Sequence, residues 1–381
     1  MTIIKTIQRG LLGIIALSLS CAIAHSAEQF LLLAANNDSA LVSYRVDPES
    51  GKLTEHARLK IPGSGGPMTV SADGQMLYVD SQIKTEGEER QKPHIISVGI
   101  NAGRLKLLHV ASVRMRSPAI HVDATGKNLL GAHYGEGKVS VWKIDAKRHC
   151  TGEVRDEKTT AKLAHFITAD PSNRFVYVPH TEPNAVFQFA FDAENGKLTP
   201  LEPPVASGPD EDHQYHQPRH YAHHPTLPMG FTANERGGGI SSWKFDNKTG
   251  QLTLQQTLSS LPPEWKGNTF AADIQITPNG RFVYVSNRDG RKIDAGQPHG
   301  DTLAAFEIDL KTGKLKPVGH YATDRFPRSF CIDKTGNFLF AAAELSNKLN
   351  AFRVDQQTGA LSRIATYETG KTPIWVTCLS D

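Results

Sequence analysis

A short turn of the form Thr/Ser-Gly-Lys-Leu, with some variation, returns seven times along the chain and limits what the chain can fold into. The turn glycines follow one another at intervals of 52, 49, 44, 54, 63 and 46 residues. Repeats of about 40–50 residues are typical of folds that stack one structural unit many times. The chain is therefore predicted to be a single domain of seven units, although 381 residues would ordinarily suggest two or three domains. The seven glycines are Gly51, Gly103, Gly152, Gly196, Gly250, Gly313 and Gly359.

A second type of turn recurs between these glycine turns, and each is followed by a run of residues typical of a β-strand. Examples are the Asp-Gly turn at 73–74 and the Asn-Gly turn at 279–280. Glycine and asparagine allow the positive φ of tight hairpins, and the runs that follow are β-branched and aromatic. In the sixth unit this pattern predicts four strands, at 328–333, 337–343, 348–354 and 361–367. Four antiparallel strands per repeat predict an all-β, seven-bladed β-propeller.

The two ends of the chain complement each other within this repeat. The chain after residue 27 begins with a strand at 30–35 that resembles the second strand of a unit, and it ends with a first-strand pattern at 372–377. One blade is therefore predicted to be shared between the termini. Such a blade closes the ring and leaves no free sheet edge there. The propeller domain is predicted to span residues 28–381.

Residues 1–27 have the composition of an export signal. Lys5 and Arg9 precede an apolar run at 11–23, and small residues follow near 24–27. The run is too short to span a bilayer comfortably. We therefore expect a signal peptide at 1–27, with its cleavage site left open, and a periplasmic or secreted protein without a membrane span after cleavage.

Charge and cysteine content narrow the classes of partner. The formal net charge is only +3 and no basic block is present, which argues against nucleic-acid binding. Beyond residue 27 the cysteines are Cys150, Cys331 and Cys378, so at most one disulfide can form. Cys331 and Cys378 fall on strands of neighbouring units, and whether they pair is left open. We expect a monomer whose partner is a small molecule.

The topology of a blade predicts where a binding site lies. The start of the first strand, the end of the second strand and the longer connections share one face of a propeller. Long insertions are predicted at 82–93, 202–217, 259–270 and 289–300, all on that face, and loops of this length usually serve function. The charged and imidazole side chains expected to converge there are His165, Arg219, Glu235, Asp273, Arg288, Arg328 and Glu344.

Two interpretations of this convergence are open, and they are compatible. Charges at innermost strand positions cost desolvation unless they are paired or functional. They can form a structural ring of arginines and carboxylates, or a ligand site. A histidine cluster raises a third idea, a metal site, but strand alternation predicts that His220 and His224 face away from Arg219 and His223. No metal or cofactor is therefore expected. The cluster comprises His213, His216, His220, His223 and His224.

Several segments around these positions resemble a known family. Taken in order, they are similar to the seven-bladed propeller lactonases, named for the bacterial propeller-type 6-phosphogluconolactonase and related to fungal carboxymuconate cyclase. The resemblance covers 28–381 and is densest from 217 to 290. The segments are Gln-Pro-Arg-His at 217–220, Asn-Glu at 234–235, Ala-Ala-Asp-Ile-Gln-Ile-Thr-Pro-Asn-Gly at 271–280, Phe-Pro-Arg at 326–328 and Pro-Ile-Trp-Val at 373–376.

The resemblance implies a lactone hydrolase whose catalytic residues are His165, Arg219, Glu235 and Arg288. Either Glu235 or His165 would act as the base, and the two arginines would hold the developing anion. The export signal favours a periplasmic aldonolactone, such as glucono-δ-lactone, although the sequence leaves open whether the substrate is phosphorylated. The flanking residues expected to bind substrate are Asp273, Arg328 and Glu344.

Two other functions are compatible with the same sequence. One is a non-catalytic propeller that binds a protein or a carbohydrate on the loop face. The other is an isomerase of the muconate-lactonising type. Against other catalytic classes, the sequence contains no G-x-S-x-G, H-E-x-x-H, C-x-x-C or Walker A motif.

Overall fold

The structure is a computed structural model that describes residues 28–210, 215–265, 267–293 and 298–380. The predicted signal peptide and His213 lie outside the described residues. Within those ranges the chain forms 28 strands and one 3₁₀ turn, Asn36–Asp38. No helix in the described part of the chain is long and apolar enough to cross a membrane.

The strands follow one another in groups of four, which we number as blades I–VI and a closing blade. The closing blade begins with β1 (Gln29–Ala35), β2 (Ala40–Val46) and β3 (Leu53–Lys60). Blade I contains β4 (Met68–Val70), β5 (Met76–Ile83), β6 (Lys92–Asn101) and β7 (Arg104–Ser112). Blade II contains β8 (Ala119–Val122), β9 (Asn128–His133), β10 (Lys138–Ile144) and β11 (Cys150–Thr159). Blade III contains β12 (Thr168–Ala169), β13 (Phe175–His180), β14 (Ala185–Asp192) and β15 (Lys197–Ser207).

The second half of the chain continues in the same way. Blade IV contains β16 (His216–His223), β17 (Met229–Arg236), β18 (Gly239–Phe245) and β19 (Leu252–Ser259). Blade V contains β20 (Thr269–Ile276), β21 (Phe282–Asp289), β22 (Thr302–Ile308) and β23 (Leu315–Ala322). Blade VI contains β24 (Pro327–Ile332), β25 (Phe338–Ala343), β26 (Lys348–Val354) and β27 (Leu361–Glu368), and β28 (Pro373–Ser380) returns to the closing blade.

The predicted seven-bladed propeller of four-stranded antiparallel blades is confirmed. In the sixth unit the four predicted strands match β24–β27 to within one residue at each end. The turns fall where glycine allows a positive φ, as at Gly336 (φ 72°) and Gly359 (φ 74°). Local turn chemistry therefore sets the strand boundaries.

The closing blade contains both ends of the described chain. β28 pairs with β1 in antiparallel register from Ser380 opposite Gln29 to Pro373 opposite Ala35. β28 is also joined to blade VI, because Cys331 on β24 and Cys378 form a disulfide with a Cα–Cα distance of 5.9 Å. The remaining cysteine of the described chain, Cys150, is buried and unpaired.

The core lies between the blades. Every residue of the second strands β9, β13, β21 and β25 is buried, because each blade packs face to face against both of its neighbours. The two largest buried side chains, Trp142 and Trp243, lie on the third strands of blades II and IV. Burial on both faces explains why these strands read as continuous apolar runs.

Two of the four predicted insertions are shorter than expected. β5 continues to Ile83 and β6 begins at Lys92, so only 84–91 connects them. β15 continues to Ser207, which pairs with Ala185, so 202–207 is strand and not loop. In both places hairpin pairing extends beyond the length that the repeat predicts. The segments 259–270 and 289–300 do contain long connections, between β19 and β20 and between β21 and β22.

Candidate active site

A residue with left-handed backbone precedes a proline at or near the start of three strands, β16, β24 and β28. Gln217 (φ 69°), Phe326 (φ 66°) and Thr372 (φ 58°) occupy this position in blades IV, VI and the closing blade. Such a conformation is costly for a residue with a side chain, and it persists only where the surroundings hold it. Here a side-chain oxygen from another blade accepts the N–H of each residue. The three acceptors are Oδ1 of Asn184 (2.8 Å), of Asp301 (2.9 Å) and of Asn347 (2.8 Å).

The innermost strands bulge immediately after this turn. In the pairing of β16 with β17, the register shifts between Pro218 and His220, so Arg219 is an extra residue. A bulge redirects the side chains beside it. Arg219 and His220 therefore meet, with Arg219 Nη1 only 2.9 Å from His220 Nε2. The expectation that His220 faces away from Arg219 is wrong, because simple alternation fails at the bulge. Similar shifts occur in β20 beside Asp273 and in β24 at Arg328.

Glu235, near the end of β17, lies between two arginines. Arg288 Nη2 donates to Glu235 Oε1 at 2.6 Å, and Arg219 Nε lies 3.3 Å from the same oxygen. The side chains of Arg219 and Arg288 are only 1% and 5% exposed, whereas that of Glu235 is 21% exposed. The carboxylate is thus the member of this group that is most accessible to a ligand.

Charge holds this carboxyl group in its ionised form. Burial raises the pKa of Glu235, but the charges of Arg219 and Arg288 outweigh burial, and the net pKa is below its ordinary value. Burial also lowers the pKa of both guanidinium groups, an effect that Glu235 opposes. The three side chains form one compact ionic group, whose members depend on one another for stability.

A second chain of contacts leads from Arg219 into the protein. Arginine can only donate, so its 2.9 Å contact makes His220 Nε2 an acceptor. The proton of the imidazole is therefore on Nδ1, which donates to Asp273 Oδ1 at 2.9 Å. Asp273 is itself fixed, because its two oxygens accept the N–H groups of Ile274 (2.9 Å) and Phe330 (3.0 Å). His220 is thus a neutral imidazole in one tautomer that links Asp273 to Arg219.

His165 lies beside this group but outside a regular strand. β12 begins only at Thr168, so the expectation that His165 opens an innermost strand is wrong. The neighbouring Ala164 nevertheless forms a single bridge with His180, and the His165 ring lies 5.4 Å from the ring of His220. Burial and then the charge of Arg219 hold the pKa of His165 well below its ordinary value. Its Nδ1 is buried and has no hydrogen-bond partner among the described residues.

A pocket of about 560 Å³ opens over the ionic group. Glu235 and Arg288 line it, and the Arg288 guanidinium lies 5.1 Å from the centre of the Phe326 ring, which is also part of the wall. Arg328 and Glu344 are a looser pair, 3.8 Å apart and 29% and 18% exposed. The other described lining residues, which the sequence did not single out, are Gln217, Arg236, Gly237, Asn268 and Phe270.

The structure separates the seven predicted site residues by depth. Glu235 and Arg288 reach the pocket, whereas Arg219 and Asp273 are buried beneath it and contact other side chains or backbone. His220, which strand alternation predicts to face away from Arg219, joins the two buried residues. The repeated Pro-Arg step at 218–219 and 327–328 is the sequence signal that marks the bulge.

The three acidic residues predicted for the site each lie near a basic side chain. Glu235 contacts two arginines, Glu344 lies near Arg328, and Asp273 accepts from His220. Within the described ranges, no group of three or more His, Cys, Asp or Glu side chains is arranged to hold a metal ion. Of the histidine cluster, His224 is tied to the Gly280 carbonyl at 2.9 Å.

Replacing His220 by phenylalanine is expected to lower kcat about tenfold, because Arg219 loses the acceptor that orients it toward Glu235. Phenylalanine keeps the ring that stacks on Phe166, with centroids 4.5 Å apart. Glutamine can accept from Arg219 and donate to Asp273, so H220Q should retain most of the activity. Equal losses in both variants, measured as initial rates with matched melting curves, would contradict this positioning role.

The buried position of His220 also predicts how the stability of the parent protein and of H220Q depends on pH. Burial, followed by the charge of Arg219, lowers the pKa of His220 from 6.5 to about 4. The folded state therefore favours the neutral ring, whereas the unfolded chain protonates this histidine more readily. The free energy of unfolding therefore decreases as the pH falls from about 6.5 to about 4. The full loss is about 3 kcal/mol. H220Q has no such group, so it should lose less stability than the parent protein between pH 7 and pH 4, as measured by chemical denaturation. An identical pH dependence would count against a buried neutral His220.

Comparisons with known proteins agree with the seven-bladed fold. A family model described as "Lactonase, 7-bladed beta-propeller" matches residues 32–378. The 6-phosphogluconolactonase of Yersinia pseudotuberculosis serotype O:3 is 29% identical over 354 residues, which cover 92% of this chain and 98% of that protein. The 6-phosphogluconolactonase of Yersinia enterocolitica serotype O:8 is 29% identical over 335 residues, covering 87% and 92%.

Solved structures share the fold at lower sequence identity. The periplasmic gluconolactonase of Pseudomonas aeruginosa superposes with a TM-score of 0.79 at 20% identity, covering 93% of this chain and 99% of that one. A protein from Lactobacillus plantarum gives a TM-score of 0.79 at 21% identity, covering 93% and 100%. At this identity the two likenesses concern the fold alone.

Proposed function

The chain belongs to the seven-bladed β-propeller lactonase family, and from that premise we propose that it hydrolyses a sugar lactone to the free hydroxy acid. The observation that carries this proposal is the Glu235 carboxylate, held between two arginines at the floor of a pocket. A fixed carboxylate beside a guanidinium supplies a proton acceptor next to a group that stabilises developing negative charge.

Each part of the reaction can be assigned to a residue of this pocket. A water molecule attacks the lactone carbonyl carbon, and Glu235 takes up one of its protons. The carbonyl oxygen becomes an oxyanion, which Arg288 stabilises by hydrogen bonding. When the tetrahedral intermediate collapses, the ring C–O bond breaks and the proton passes to the leaving alkoxide. One water is consumed, and the product is a hydroxy acid.

Arg219 acts in this scheme through Glu235. Its guanidinium is almost fully buried, and besides Glu235 it contacts the Ala272 carbonyl oxygen at 2.8 Å and His220 at 2.9 Å. We assign to Arg219 the role of fixing the position of the Glu235 carboxylate and of keeping it ionised. Arg328 and Glu344, which are partly exposed near the pocket, are assigned to the substrate hydroxyl groups. Asp273, which the sequence predicts to bind substrate, is only 4% exposed, and we assign it instead to fixing His220.

His165 is the second candidate for the base. It is neutral because its pKa lies well below the ordinary value, and its buried Nδ1 has no protein partner among the described residues. Glu235 is favoured because it lines the pocket, whereas His165 is not among the described lining residues. Substitution of each residue, as set out in the Discussion for Glu235, separates the two.

An exported protein acting on an unphosphorylated aldonolactone is the form of this activity that we propose. The composition of residues 1–27 supports export. The disulfide between Cys331 and Cys378 suits an oxidising compartment such as the periplasm. A related fold is found in the periplasmic gluconolactonase of Pseudomonas aeruginosa.

Alkali uptake at constant pH tests the activity directly. The purified mature protein should release acid from glucono-δ-lactone faster than the spontaneous reaction, and more efficiently than from 6-phosphoglucono-δ-lactone. The assay should give the same rate with a chelator present, because the proposed groups are a carboxylate, an imidazole and guanidiniums. Rates that never exceed the uncatalysed background on any aldonolactone would overturn the proposal. A clear preference for the phosphorylated substrate would overturn only the assignment of an unphosphorylated lactone.

A further inference from the structure

A second cavity lies beside the active pocket, in the cleft between blades IV and V. Its volume is about 610 Å³, and Gly237 and Asn268 line both spaces. From this shared boundary the cavity continues outward to His320 on β23, the outermost strand of blade V. The cavity is therefore an extension of the site, directed toward the outermost strands.

Glycine backbone forms part of the boundary between the two spaces, beside Asn268. Gly237 and Gly238, with φ of 73° and 72°, turn the chain between β17 and β18. A Cβ atom on Gly238 would lie 2.6 Å from the Leu261 side chain, and one on Gly239 would lie 2.4 Å from Tyr215 Cβ. Side chains are thus excluded from these positions by close packing. Gly237, which lines both spaces, has no side chain to fill the boundary between them.

An aromatic ring is fixed in the wall of the cavity. Trp265 Nε1 donates to Thr269 Oγ1 at 2.6 Å, and the Arg291 guanidinium lies 4.4 Å from the ring centre. A Cβ atom on Gly267 or Gly300 would come within 2.4 Å of the ring, so both glycines allow the backbone to pack against it. The tryptophan is preorganised, which reduces the entropy cost of binding a ligand against this wall.

The remaining lining alternates between apolar and polar groups. Leu258, Leu261, Pro262 and Pro263 supply apolar surface, and Ser259, Asn268, Thr269 and His320 supply polar groups. A pyranose ring has apolar C–H faces, which can pack against the apolar side chains, and hydroxyl groups around its edge, which can hydrogen-bond to the polar ones. An alkyl chain would cover the apolar surface but would leave the polar groups desolvated without hydrogen bonds, which is unfavourable.

We propose that this cavity binds a second sugar ring attached to the lactone, so that the preferred substrate is a disaccharide aldonolactone. The inference rests on the proposed lactonase function and names its substrate class. Each of the two spaces falls within the usual volume of a ligand pocket, about 300–1,000 Å³, so one ring can occupy each. The reaction is unchanged, since the second ring supplies binding energy remote from the bond that breaks.

Comparison of three lactones on the parent protein tests the proposal. With spontaneous hydrolysis subtracted, kcat/KM for cellobiono-δ-lactone should exceed that for glucono-δ-lactone at least about tenfold, or about 1.4 kcal/mol. δ-Nonalactone, which carries an alkyl chain instead of a sugar, should be the poorest of the three. Equal values for the two sugar lactones, or a preference for δ-nonalactone, would overturn the subsite while leaving lactonase activity intact. Hydrolysis of none of the three would overturn the lactonase function and the subsite with it.

A matched pair of substitutions locates the effect. Leu261→Glu places a carboxylate among the apolar lining and should bring the ratio of the two kcat/KM values close to one. Leu310→Glu is the control, because Leu310 is 46% exposed on the turn between β22 and β23, on the opposite face. It should leave the ratio at its parent value. An unchanged ratio in folded Leu261→Glu would overturn the assignment.

Binding to the unmodified protein provides a test that does not depend on a variant folding. Calorimetry with the stable product acids should give a Kd for cellobionate at least about tenfold lower than for gluconate. Equal affinities would contradict the second-ring site.

Discussion

Replacing Glu235 by glutamine is expected to lower kcat for lactone hydrolysis by about 10²–10³-fold, with a smaller change in KM. Glutamine keeps the shape of the side chain and can still accept from Arg288, which donates to Oε1 at 2.6 Å in the parent. It cannot take up a proton from water. Arg288→Ala should cost a similar factor, about 2.7–4 kcal/mol of transition-state stabilisation, because the oxyanion loses its donor. Steady-state kinetics on the best lactone found would measure both effects.

The chain offers a closely matched control for the Glu235 substitution. Glu157 also lies between two cations, with Lys138 at 2.8 Å and Arg114 at 2.7 Å, and its side chain has the same 21% exposure. Glu157 is on β11, the outermost strand of blade II, and two strands separate β11 from the innermost strand β8. Glu157→Gln should therefore leave kcat unchanged.

A purely structural ring of arginines and carboxylates also predicts damage, and melting curves separate the two interpretations. Removing one partner of a buried ion pair costs about 3–5 kcal/mol of stability. If activity falls in Glu235→Gln only to the extent that the folded fraction falls, the ring is structural. If the variant melts close to the parent yet is inactive, Glu235 acts on the substrate. Near-parent activity in both Glu235→Gln and Arg288→Ala would show that the site is wrongly assigned.

Deletion of residues 372–381 is expected to unfold the whole propeller in one cooperative transition. The deletion removes β28, which pairs with β1 over its full length, together with the buried residues Val376 and Leu379. Every residue of β1 is buried, so the loss of its neighbour exposes apolar surface as well as unpaired backbone groups. Burial of each such side chain contributes about 1.5–3 kcal/mol, against a total stability of about 5–15 kcal/mol.

The deletion also removes Cys378, so the contribution of the disulfide must be measured separately. Full-length Cys378→Ser retains β28 and loses only the covalent link to Cys331, which closes a 47-residue separation. Loop-closure entropy assigns that link about 4 kcal/mol. The deletion should therefore be markedly less stable than Cys378→Ser. A truncated protein that melts within about 2 °C of the serine variant would show that strand pairing at the closing blade contributes little.

The sequence by itself determined the repeat, the strands and the face on which the site lies. The boundaries of β24–β27 follow from the Thr-Gly turns near 336 and 359, where glycine allows a positive φ that other residues adopt at a cost. Arg219, Glu235 and Arg288 could be brought together before any coordinates, because the starts of first strands and the ends of second strands share one face in an antiparallel blade.

Only the tertiary structure decided how these residues meet. Alternation along β16 predicts that His220 faces away from Arg219. The shifted pairing with β17 instead lets the two side chains meet, with His220 bonded to Asp273 and Arg219 beside Glu235. A bulge depends on the register between two strands, and no single strand encodes that register. Depth is decided in the same way: Arg219 is buried and Glu235 is reachable because side chains from blades IV, V and VI pack around them. Repeated turns are local in sequence, whereas the hydrogen bond that fixes the His220 ring joins it to Asp273, 53 residues away.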